Sequence, residues 1–126
     1  MIARFAFCLA LLLSGPAAAQ ETPDFRGPPF AMQGGEAVYR GVCQGCHMAD
    51  ARGATGAGSY PALAGNARLA SSGYLLTMVM NGHKAMPPFR GHFTNQQIAD
   101  VVNYVREHFG NRYKGAVRPS DVQVLR

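Results

Sequence analysis

The chain has 126 residues, enough for one small domain and no more. Twelve Lys and Arg against seven Asp and Glu give a net charge of +5. No run of like charge and no interleaving of basic with aromatic residues marks a nucleic-acid groove, which excludes that class.

Residues 1–19 read as a cleaved signal peptide. Arg4 supplies a basic start, Phe5 to Leu13 an apolar run, Ser14-Gly15-Pro16 a break, and Ala17 and Ala19 the small residues of a cleavage site. The run is far shorter than the roughly 20 residues that a membrane span needs, so no span is expected in the mature chain. The predicted compartment is therefore the periplasm. Removing Arg4 from the 12 basic residues leaves 11 against 7 acidic ones, a net +4. Cys8 falls in the discarded segment, which leaves Cys43 and Cys46. A disulfide between such close positions would close a tiny loop and add little stability.

Residues 20–32 are proline-rich and are expected to run extended. A helix is predicted from about Gln33, with Glu36 in its first turn and Ala37, Val38 and Tyr39 as apolar content, leading into Cys43 to His47. Residues 50–66 are rich in glycine and small residues and read as a long loop, of a length that usually wraps something functional. A second helix is expected to start at Ser71 or Ser72 and stop at Gly82. Its residues Tyr74, Leu75, Leu76, Met78, Val79 and Met80 are apolar nearly all round, which implies contact on more than one side. Pro87-Pro88 excludes helix from the next segment. In the last helix Thr94 and Gln97 form a capping-box pattern, Ile98, Val101, Val102, Val105 and Phe109 share one face, and Gly110 closes it. No alternating, strand-like run is present. Residues 111–126 form a basic tail, with Arg112, Lys114, Arg118 and Arg126 against Asp121. It reads as a solvated tail or as a docking patch for an acidic partner.

The expectation is an all-α domain over residues 33–110, with about three main helices and long loops. So much loop cannot easily build a dense core alone, so a large apolar group should fill the middle.

The stretch VCQGCH at residues 42–47 decides which group. A redox-active thiol pair belongs after a strand at a helix N-terminus, and here it ends a helix. A structural zinc site needs four ligands, and no further cysteine is available. Cys-x-x-Cys followed at once by His is the signature of covalent haem. Cys43 and Cys46 lie three positions apart on one turn and can bond the two vinyl groups, while His47 projects beneath the ring toward the iron. A thioether is the usual second ligand of an electron-transfer haem. Met48 adjoins the proximal histidine, Met32 lies in the lead-in, and Met78 and Met80 read as core filler. Met86, in a loop stiffened by Pro87-Pro88, is the predicted sixth ligand, with His83 as its rival. His92 and His108 read as surface histidines.

VYRGVCQGCH, YPALAGN, VMNGHKAMPPF and QQIADVVNYVREHFGN together resemble a class I c-type cytochrome, over essentially the whole chain from Gln33 onward. The likeness is greatest to the haem domains of cytochrome c subunits of bacterial periplasmic dehydrogenases. Those subunits usually carry three haem domains and a membrane anchor, whereas one haem motif and no anchor are read here. The resemblance implies a small class I cytochrome c fold wrapped around one covalent haem c. It implies that the Pro61 carbonyl accepts a hydrogen bond from the His47 imidazole, and that Gly35 and Tyr104 mark the crossing of the first and last helices. It also implies single-electron transfer without substrate turnover. The donor would be a periplasmic dehydrogenase and the acceptor an oxidase or another cytochrome. A freely diffusing carrier is the alternative, and a gas-binding haem sensor a more distant one. Met48, Ala49, Ala57, Met86 and Pro87 are the rim positions expected around an exposed haem edge.

Overall fold

The computed structural model describes residues 31–56 and 58–126. The expected signal peptide, most of the lead-in and the rim position Ala57 lie outside the described residues.

The first helical stretch runs without a break through the thiol motif in three backbone registers. It is α-helical over Gly35–Val38 (α1), π-helical over Tyr39–Cys43 and α-helical again over Gln44–His47 (α2). It begins two residues later than Gln33, because Gly34 at φ 80 breaks the backbone ahead of it. The second predicted helix spans Ser72–Asn81 (α3). The Ser71 hydroxyl accepts from the Tyr74 N–H at its start, and Gly82 ends it at φ 69. The longest helix spans Asn95–Glu107 (α4), and its N-terminus carries the capping box read from Thr94 and Gln97. A 3₁₀ turn at Ala67–Ala70 precedes α3.

Two features depart from the sequence reading. A small antiparallel hairpin pairs Ala54–Thr55 (β1) with Ser59–Tyr60 (β2), with Ala54 opposite Tyr60. Two-residue strands are too short to show alternation, so no periodic signal could mark them. The C-terminal residues also do not trail into solvent. Pro119–Val124 forms a short helix (α5) that packs on α4, with Val117 and Val122 buried. Much of the tail's charge is used internally. Arg118 pairs with Asp121, and the Arg126 guanidinium donates to Asn95 Oδ1 and to the carbonyls of Arg90 and Phe93.

The core gathers Val38 and Tyr39 from the first stretch, Leu76 and Met80 from α3, and Ile98, Val101, Val102 and Val105 from α4. Helices α1 and α4 cross at Gly35. A side-chain carbon there would collide with the Asp100 carbonyl and with Tyr104 Cβ, so only glycine allows this approach. Tyr39 fills the angle of the crossing, with its ring 5.8 Å from Tyr104 and 4.8 Å from Phe109.

Candidate haem site

A cavity of about 970 Å³ opens in the middle of the molecule, lined mostly by apolar side chains. Its walls come from six places in the chain. Val42, Cys43, Cys46 and His47 come from the first helical stretch, and Ser59, Tyr60, Pro61 and Leu63 from the hairpin and the loop after it. The 3₁₀ turn adds Asn66, Arg68 and Leu69, and α3 adds Tyr74, Leu75, Met78 and Val79. The α3–α4 connection contributes His83 to Pro87, Phe89 and His92, and α4 adds Val101, Val102 and Val105. All five residues singled out from sequence, Cys43, Cys46, His47, Pro61 and Met86, therefore face one space.

His47 ends α2 and is only 8 % exposed. Its Nδ1 lies 2.9 Å from the Pro61 carbonyl, which fixes this nitrogen as the N–H donor and leaves Nε2 with the free lone pair. Directly after it, Met48 adopts φ 67 and ψ 162, a backbone region that only glycine enters without strain. The Tyr39 hydroxyl donates to the Met48 carbonyl at 2.8 Å and holds this turn. Burial, with the neighbouring Cys43 next in size, pushes the Tyr39 phenol up to about 12, so it stays a donor.

Burial pushes the Cys43 thiol up to about 12, with a smaller upward push from Cys46. A nucleophilic or redox-active thiol is favoured by the opposite displacement. Nor do the described residues bring together three or more His, Cys, Asp or Glu side chains suited to a metal ion, as a zinc site needs. What fits is a large, flat, apolar group held from one edge by two thiols. The His47 imidazole and the Met86 thioether line the same cavity from two different segments.

The Met86 segment is placed by α3. Gly82 allows the chain to fold back so closely that a side-chain carbon there would collide with Met86 O and Pro87 C. His83 and Met86 then exchange two backbone bonds, each 3.0 Å long. Phe89 N–H donates to Val79 O at 3.0 Å and Arg90 N–H to Met80 O at 3.2 Å, which fastens the far end of the loop to α3.

Several expectations are corrected here. Met78 is not core filler: it shares the cavity face of α3 with Tyr74, Leu75 and Val79, while Met80 alone is buried in the core. His92 is exposed yet sits on the cavity wall. Of the expected rim positions, Met86 and Pro87 line the cavity, whereas Met48 and Ala49 do not. Sequence reasoning missed Asn66 and Asn111, which brace the Pro61 loop. Asn66 had a local signal, since it caps the 3₁₀ turn by accepting from Arg68 N–H. Nothing near Asn111 pointed to a residue 48 positions earlier.

Comparison with known proteins agrees with this arrangement. The family profile described as cytochrome c oxidase, cbb3-type, subunit III matches residues 30–105. The cytochrome c subunit of the quinone alcohol dehydrogenase of Gluconobacter oxydans is 36 % identical over 105 residues, covering 73 % of this chain and 22 % of that subunit. The fructose dehydrogenase cytochrome subunit of Gluconobacter japonicus is 34 % identical over 92 residues, or 61 % of this chain and 19 % of that subunit. The gluconate 2-dehydrogenase cytochrome c subunit of Pantoea cypripedii is 34 % identical over 106 residues, or 75 % and 24 %. The chain thus spans about a fifth of the length of these relatives. With a Cys-x-x-Cys-His helix facing an apolar cavity and a family match across more than half its residues, the chain belongs to the class I c-type cytochromes, of the kind found in dehydrogenase cytochrome subunits.

Proposed function

We propose that the protein is a periplasmic monohaem cytochrome that passes single electrons from a dehydrogenase to an oxidase or another cytochrome, and is not itself an enzyme. The observation that carries this is the convergence of Cys43, Cys46, His47 and Met86 on one apolar cavity. Bound there, haem c would supply an iron that cycles between two oxidation states without making or breaking substrate bonds.

The chain's own residues do the rest. Cys43 and Cys46 would hold the group through thioether links to its two vinyl groups, an addition of S–H across a double bond that would consume no oxidant. His47, oriented by the Pro61 carbonyl, would offer Nε2 to the iron, and the Met86 thioether would be its other protein ligand, a donor that favours the reduced state. Val79, Val101, Val102 and Val105 keep water from the inner faces, which limits reorganisation on electron transfer. Tyr60 and Tyr74, each more than a third exposed, line the cavity, as do Arg68 and Lys84. No helix among the described residues is long and apolar enough to cross a membrane. The cytochrome subunits it resembles support a dehydrogenase as donor, either in a stable complex or in passing contact.

A potentiometric titration with carbon monoxide tests this reading. The expected result is a one-electron transition in a wild-type protein that does not bind carbon monoxide, with rapid binding in Met86→Ala. Rapid binding by the wild-type protein would favour a gas-binding haem instead. A spectrum unchanged in Met86→Ala would move the ligand to His83 or Met78. Comigration with a dehydrogenase on gentle purification would make the protein a subunit; a lone haem protein would make it a mobile carrier.

A further inference from the structure

Asn111 lies beyond the end of α4 and is 2 % exposed, among the most deeply buried polar residues described. Its amide NH₂ donates to Leu63 O at 2.9 Å and to Val105 O at 2.8 Å, and its Oδ1 accepts from Asn66 N–H at 3.1 Å. Asn66 in turn donates from Nδ2 to Ala62 O at 2.8 Å, and the Tyr113 hydroxyl donates to Asn66 O at 3.2 Å. Two residues of the C-terminal segment thus grip the carbonyls of Ala62, Leu63 and Asn66, directly or through one side chain. The first two of these carbonyls directly follow Pro61, and the third closes the same loop.

The other side of the same loop is also held. Leu63 and Ala64 donate their N–H groups to Ala51 O at 2.7 and 2.9 Å, and Gly53 passes so close that a side-chain carbon there would collide with Tyr60 O. Proline has no N–H, so Pro61 cannot anchor itself through a bond of its own amide. The bonds of its neighbours therefore help to hold its carbonyl in place.

We propose that Asn111, acting through Leu63 and Asn66, is a positioning residue that aims the Pro61 carbonyl at His47 Nδ1 and so sets the donor strength of the axial imidazole. The inference rests on the haem reading given above. An N–H to carbonyl bond makes an imidazole a stronger donor to its metal, which favours the oxidised iron. Loosening the Pro61 loop should therefore raise the midpoint potential and speed exchange of the His47 ring proton.

The test compares Asn111→Ala with Asn103→Ala in the haem-loaded protein. Asn103 lies on α4 itself and ties down the C-terminal segment. Its Nδ2 donates to Val117 O at 2.9 Å and its Oδ1 accepts from Val117 N–H at 2.8 Å, away from the Pro61 loop. The readouts are the exchange rate of the His47 Nδ1 proton, followed by NMR in the reduced state, and the midpoint potential. Asn111→Ala should speed exchange by roughly tenfold, the scale of one lost hydrogen bond, and move the potential upward, while Asn103→Ala leaves both unchanged. Equal shifts in the two variants would reduce Asn111 to a structural residue and overturn the proposal, as would no shift in either. Tyr113→Phe, which removes only the bond to Asn66 O, serves if Asn111→Ala does not fold; a smaller shift of the same sign supports the proposal and none overturns it. Haem that fails to attach to the wild-type protein would overturn the haem reading itself, an outcome separate from unmoved exchange in a loaded protein.

Discussion

The two donor segments of the cavity are built on different principles. His47 sits in a wall whose parts come from distant stretches of chain: the α1–α4 crossing at Gly35, the Pro61 loop, and Asn111 and Tyr113 from beyond α4. Met86 sits in a wall made almost wholly by its neighbours, with Gly82, the His83–Met86 backbone pair and the returns of Phe89 and Arg90 onto α3. The first wall is fixed by tertiary packing and should fail cooperatively with the fold. The second is a local device that can open while the rest stands. On the proposed reading a redox site would gain from this division, because His47 would be held rigid while Met86 could be altered without unfolding the protein.

The largest effect is expected from breaking the first wall. Gly35→Val forces a branched side chain into the Asp100 carbonyl and Tyr104, and should cost about 4 kcal/mol or more. Denaturant unfolding followed by helical circular dichroism would read this, and a loss under 1 kcal/mol would mean that the crossing is looser than described. Gly82→Ala attacks the second wall, where φ 69 and the approach of Met86 O both exclude a side chain. The expected cost is about 2 kcal/mol, carried mainly by the Met86 loop, with carbon monoxide binding rising more than global stability falls.

A change of opposite sign sharpens the contrast. Met48→Gly relieves a strained backbone beside His47 and should stabilise the fold by about 1 kcal/mol, after the entropy that glycine adds to the unfolded chain. A loss of stability would show that Tyr39 and Ala51 hold Met48 without strain. The smallest effect concerns α5. The Arg118 backbone N–H, and after it the Arg118 side chain, hold Asp121 below the usual carboxylate range. Its contribution is therefore complete above a pH of about 4 and is lost as pH falls through the lowered value. Acid titration of wild type against Asp121→Asn should show slightly more acid loosening of the C-terminal segment in wild type, and identical profiles would remove the role of this pair.

The same division explains what the sequence made legible. Features governed by nearest neighbours were readable: the Thr94–Gln97 box, the Ser71 cap, the Gly82 stop and the Pro87-Pro88 loop all work within four residues. The thiol motif is local in the same sense, because Cys43, Cys46 and His47 lie within five consecutive residues. Features that depend on the far end of the chain were not. Met78 read as filler because an apolar helix face looks the same whether it meets side chains or a cavity. The tail read as solvated because charge dominates its composition, although Pro119 at the first turn and Asp121 two positions on do mark a helix start. Six residues gave that signal too little length to carry weight. Asn111 carried no local mark at all; its role exists only once α4 has brought it against the Pro61 loop.

The most direct test of the account is the intact mass of the protein after acid extraction, produced in a host that matures c-type cytochromes. The account predicts polypeptide plus one haem that does not extract, with the added mass on the peptide containing Cys43, Cys46 and His47. A protein that releases its haem, or that carries both thiols free or joined to each other, would contradict it.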